Sequence, residues 1–113
     1  MSKDIVYQEG SENVFVDIGA RDPEESRMRA DLVKEIGSLI RKSRLRQTEV
    51  AAILGVDQSK VSKLVRGRIS GFTSDRLLRF LRALGCDVRI EIKRRAVRNN
   101  SLRRQGKIVV AAG

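Results

Sequence analysis

Apolar residues recur at helical spacing in four stretches of the chain and at alternate positions in two more. Met28, Leu32, Ile36, Leu39 and Ile40 form one stripe, with Val33 beside it, which predicts a long first helix running to about Ser43. Asp22-Pro23-Glu24-Glu25 marks its start. Asp22 can cap, Pro23 fits the first turn, where no amide donor is needed, and Glu25 stands where a capping box places its carboxylate. Both glutamates complement the positive end of the helix dipole. Gly37 lowers local helix propensity by about 1 kcal/mol relative to Ala, and it marks a place where another helix can come close. Val50, Ala51, Ile53 and Leu54 predict a short helix from Gln47, and Val61, Leu64 and Val65 predict a second that ends at Gly67. Gly55-Val56-Asp57 separates the two. After a loop, Thr73 caps a further helix whose broad apolar face is Leu77, Leu78, Phe80, Leu81 and Leu84. Arg76, Arg79 and Arg82 occupy its other side, as a solvated face usually is, and Gly85 is its stop.

From Cys86 the period changes. Val88, Ile90 and Ile92 alternate with Arg89, Glu91 and Lys93, which is the pattern of a strand. A lone strand leaves its backbone groups unpaired. Cys86–Lys93 must therefore pair with residues 13–18, with the chain's tail, or with its own copy in a second subunit, and the last option predicts a homodimer. Val14, Val16 and Ile18 alternate in the same way and suit a short extended segment, packed on the domain or docked on a partner protein. Beyond Lys93, RRAVRNNSLRRQGK shows neither period, so flexibility is the default there.

Two short helices joined by a tight turn containing Gly form a helix-turn-helix unit, whose second helix enters the DNA major groove. That unit is Gln47–Gly67, and its chemistry is recognition. Gln58, Ser59 and Lys60 open the second helix and point toward base edges, with Lys63 one turn later. Gln can bond adenine through two contacts, Lys can bond the guanine acceptors, and Ser can donate or accept. Asp57 is the expected cap of this helix. Gln47, at the start of the first helix of the pair, can reach a phosphate while the helix terminus does the same with its amides. Arg66 and Arg68 flank the far end as phosphate clamps. Arg41, Lys42, Arg44 and Arg46 suit the C-terminus of the long helix electrostatically and equally suit DNA phosphates. Ala51, Ile53, Val56, Val61 and Leu64 are assigned to the core.

Charge strengthens this picture. The 113 residues carry 24 Lys and Arg against 14 Asp and Glu, a net charge of +10. The excess lies beyond residue 30, and residues 94–113 contain no acidic side chain at all. A basic balance of this kind favours an anionic partner, most commonly nucleic acid. With no histidine and one cysteine, Cys86, the chain offers neither a Cys/His zinc site nor an intrachain disulfide. It also has no Gly-rich phosphate loop, so it is not read as an enzyme and no cofactor is expected. No apolar run has the length of a signal peptide or membrane span, so the expected location is cytoplasmic, with no membrane contact.

The run Gln47-Thr48-Glu49-Val50-Ala51, then Leu54-Gly55-Val56, Ser59-Lys60-Val61-Ser62 and Leu64, closing on Arg66-Gly67, resembles the Xre/Cro-type helix-turn-helix. More narrowly, VFVDIGARDPEE (Val14–Glu25) and GRISGFTSDRLLRFLRALGCDVRI (Gly67–Ile90) resemble the HigA-like antitoxin branch. The resemblance covers about residues 13–93. It implies a mainly α, five-helix-like DNA-binding domain, followed here by one C-terminal β-strand. It implies base reading by Gln58, Ser59, Lys60 and Lys63 and phosphate contact by Gln47. It also implies a dimer that represses its own operon, often with a RelE/HigB-type ribonuclease toxin as partner. Many such antitoxins are acidic, whereas this chain is basic, so the acidic residues 1–30 are the expected surface for a toxin. The organisation is then an acidic arm over residues 1–21, the DNA-binding domain over 22–93 and a basic tail over 94–113. Two other readings stand beside it: a repressor of the same family with no toxin, and a basic protein that binds nucleic acid without sequence preference. The second lacks the aromatic stacking residues usual in RNA-binding modules.

Overall fold

The computed structural model describes residues 22–94 and 105–113, and the described residues hold four helices. They are α1 (Pro23–Ser43), α2 (Gln47–Leu54), α3 (Gln58–Val65) and α4 (Ser74–Ala83). Each boundary has a local cause. The Asp22 carboxylate accepts from the amides of Glu24 and Glu25 at 3.2 and 3.3 Å, with Pro23 in the first turn. Arg44 ends α1 in the left-handed region at φ 62°, the one described non-glycine residue with positive φ. The backbone N–H of Arg46 donates to Glu49 Oε1 at 2.8 Å and so closes the first turn of α2. Gly55 ends α2 at φ 71°, where its N–H bonds to Ala51 O at 2.8 Å, a conformation a Cβ would strain. Thr73 Oγ1 accepts from the Arg76 amide at 3.2 Å and caps α4. Thr73→Ala should cost about 1 kcal/mol of stability, seen as a lower urea midpoint at unchanged slope.

The core lies where α1 crosses α3 and α4, with α2 packed against those two. Leu32, Val33, Ile36 and Ile40 of α1 meet Val50 and Ala51 of α2, Val61 and Leu64 of α3, and Leu77, Phe80 and Leu81 of α4. Phe72 is buried with them and meets Phe80 edge to face, with ring centroids 6.0 Å apart. Gly37 is a point of close approach between α1 and α3. A Cβ built there would lie 3.0 Å from the backbone oxygen of Leu64 and 3.7 Å from Val65 Cα, so the break in the stripe is filled by the neighbouring helix. Polar side chains tie the elements together at the other end of α1. Arg29 donates to Glu25 Oε1 at 3.0 Å and to the Phe72 carbonyl at 3.2 Å, while Glu25 Oε2 accepts from the Ser74 hydroxyl. Glu25 thus cross-links α1 to α4, where the sequence suggested a capping box.

Three further expectations differ from what is seen. Ile53, expected in the core, is 47% exposed because α2 turns this edge away from α1 and α3. Asp57 occupies the cap position of α3, but its side chain accepts no capping bond; the backbone oxygen of Asp57 accepts instead, from Lys60 and Val61. Among the described residues there are four helices and no strand, against the five-helix-like core and C-terminal strand expected. Residues 86–94 follow α4 with no strand assigned, since a strand needs a ladder partner and none is formed among the described residues. Cys86 is half-buried against the core, its N–H bonded to Leu81 O at 3.0 Å. Near the other described segment, Ile108 N–H donates to Glu24 Oε2 at 2.7 Å and Val110 packs on the core. The Val14–Ile18 arm and most of the basic stretch lie outside the described residues.

Candidate nucleic-acid interface

α2 and α3 form the unit expected from Gln47–Gly67, with the connecting turn set by Gly55 and the bonds that Gly55 and Val56 donate to Ala51 O. α3 divides lengthwise by burial. Val61 and Leu64 are fully covered, whereas Gln58, Ser59 and Lys63 are exposed and Lys60 is half-exposed. Four of the positions singled out in the sequence therefore share one short helix, with the polar set on the side opposite the buried pair or at its margin. Its C-terminus is fixed from behind: Arg41 reaches across from α1 and donates to Val65 O at 3.1 Å.

Cations surround the exposed edge. Arg66 and Arg68 follow α3, and both are exposed. Among the described residues, Lys60, Lys63, Arg66 and Arg68 form no ion pair, so their charge is not offset at short range. Arg46 differs. Its side chain is 83% exposed, but its Nε lies 3.8 Å from Glu49 Oε1, which partly offsets its charge. Gln47 stands half-exposed in the first turn of α2. Thr48, next to it and exposed, adds a hydroxyl that the sequence reading does not single out; its signal is a polar side chain beside the free amides of a helix start.

Three other arginines have partners of their own. Arg41 bonds the C-terminal carbonyl of α3, a partner on another helix, where the sequence suggested the C-terminus of its own helix or a phosphate. Arg76 lies over the rings of Phe72 and Phe80, 5.7 and 5.5 Å from their centroids, and Arg79 approaches Asp75 at 4.0 Å. On the arginine side of α4, Arg76 thus takes part in packing, while Arg79 and Arg82 are exposed. Among the described residues no group of His, Cys, Asp and Glu is placed to hold a metal, and no helix is long and apolar enough to cross a membrane.

Comparison with known proteins agrees with this geometry. Residues 14–93 match the model of a family described as a helix-turn-helix domain. A solved structure described as a "Putative XRE Family Transcriptional Regulator" is similar over 80% of this chain and 97% of its own, with 34% identity and a TM-score of 0.68. No protein of curated function matches. The matched span contains all four helices and the whole of the exposed edge of α3, and on that evidence the chain belongs to the XRE family of helix-turn-helix proteins.

Proposed function

We propose that the protein is a sequence-specific DNA-binding transcriptional regulator that represses its own operon. The observation that carries this reading is the division of α3: one edge locked into the core, the other presenting Gln58, Ser59 and Lys63 among cations that have no carboxylate partner among the described residues. In this reading α3 enters the major groove, and Gln58, Ser59, Lys60 and Lys63 meet base edges. Gln47, Arg66 and Arg68 hold phosphates, with Arg46 a weaker contact because Glu49 competes for it. The active species is a homodimer joined through Cys86–Lys93, so operator half-sites lie about 34 Å apart or a multiple of that.

Within this reading the chain is the antitoxin of a type II pair, of the HigA-like branch, with a small RelE/HigB-type ribonuclease as second partner. The support is the likeness of Val14–Glu25 and Gly67–Ile90 to that branch, and an acidic residue 1–30 stretch suited to a basic protein. Co-purification of such a ribonuclease from the native host tests the toxin; its absence leaves a repressor acting alone.

The test of DNA recognition is a gel shift at physiological salt with competitor, comparing the DNA upstream of the protein's own gene with unrelated duplexes. A specific regulator prefers its site by a factor on the order of a thousand or more. Equal affinity for both would leave a basic protein bound through phosphates alone.

A further inference from the structure

Among the described residues, residues 86–94 carry three exposed aliphatic side chains. Ile90 is 74% exposed and Ile92 90%, with Val88 also exposed, and all three stand at alternate positions of one short segment. Aliphatic side chains aligned in this way mark a contact surface. We infer that the segment pairs antiparallel with its own copy in a single register, centred on Ile90 opposite Ile90. The inference rests on the homodimer proposed above and specifies its interface.

The argument is one of complementarity. In an antiparallel pair, residues directly opposite one another project from the same face. With Ile90 on the two-fold axis, Val88 faces Ile92 of the other copy, and the apolar face is Val88, Ile90 and Ile92 from both chains. On the other face Arg89 lies opposite Glu91, and Asp87 lies opposite Lys93, each pair occurring twice by symmetry. Every charge from Asp87 to Lys93 then meets its opposite.

Neighbouring registers fail. Centring on Arg89 sets Arg89 against itself and Asp87 against Glu91. A centre on Glu91 sets Glu91 against itself and Arg89 against Lys93. Like charges directly opposite are destabilising. A shift that places the axis between residues sets apolar positions opposite charged ones and breaks the face altogether. The ribbon so formed is anchored to each folded body through Cys86, which is bonded to Leu81 and packed on the core.

Cysteine crosslinking in the full chain reads the register directly. In a Cys86→Ser background, Ile90→Cys should form a disulfide-linked dimer on mild oxidation, since directly opposite residues have Cα atoms about 4.5–5.5 Å apart. Val88→Cys or Ile92→Cys alone should not crosslink, because each lies several residues from its own copy, whereas the two variants mixed should. Arg89→Glu should weaken the dimer on the order of tenfold or more by setting Glu against Glu, and adding Glu91→Arg should restore it. A dimer in sedimentation that crosslinks through residue 88 or 92 alone, or is indifferent to Arg89→Glu, overturns the register but leaves dimerisation standing. A monomer at tens of micromolar overturns both.

Discussion

Leu64→Ala should remove about 2–5 kcal/mol of stability. Leu64 has no exposed surface and sits in the last turn of α3, where the helix meets α1. Its backbone oxygen would lie 3.0 Å from a Cβ built at Gly37, so α1 and α3 pass close together at this point. Helices that pass so closely can move little further together to fill the space a missing isobutyl group leaves, and a cavity that does not shrink is the costly kind. A small domain has only about 5–15 kcal/mol in total, so the variant should unfold at much lower urea concentration with its slope unchanged. Ile53→Ala is the control. With half its surface already in water, it should stay within about 0.5 kcal/mol of the parent. Equal losses at the two sites would mean that the lengthwise division of the helix pair is wrong.

Lys63→Ala should act on recognition and leave the fold alone. Lys63 is exposed one turn into α3 and forms no ion pair among the described residues, so truncating it removes no intramolecular partner. If its ammonium reads a base, the preferred duplex loses about 1–3 kcal/mol of affinity while unrelated duplexes change little. Arg66→Ala should weaken every duplex alike and reduce the slope of log affinity against log salt by about 1, as a lost phosphate contact does. Fluorescence anisotropy on two duplexes across a salt series separates these patterns. A uniform loss for Lys63→Ala would move that residue from the base-reading to the phosphate-binding set.

Much of this arrangement is legible in the chain because its signals are local. Asp22-Pro23, Gly55, Thr73 and the apolar stripes each act within a turn or two, and α1 through α4 begin and end where those signals stand. Gly37 is a partial exception: its sequence signature is only a gap in a stripe, yet the gap was enough to indicate a crossing. What depends on distant contacts is harder to read. Ile53 matches the helical pattern, but a two-turn helix has room for few buried positions, and only packing decides which apolar residue is left outside. Glu25 is chemically suited to a capping box and is drawn instead to Arg29 and to Ser74, 49 residues away. Asp57 is a good cap by type, but its side chain makes no such bond. The alternation after Cys86 states a preference that a chain by itself does not satisfy, since a ladder needs a second strand. At the candidate interface, the exposed polar edge of α3 follows from periodicity, whereas the attachment of Arg41 to Val65 and of Arg76 to two phenylalanine rings does not.

The contact at Gly37 has a consequence for how far α3 stands out from the body. Wherever two helices cross, side chains act as spacers, and here the spacer is missing on one side, so α3 sits closer to α1 than a side chain at position 37 would comfortably allow. Depth on the buried side is protrusion lost on the outer side. Gln58, Ser59 and Lys63 thus begin from a low platform, and any reach into a groove is set by the lengths of their own side chains. A residue wholly inside the protein therefore acts as the depth stop for the surface that would meet DNA.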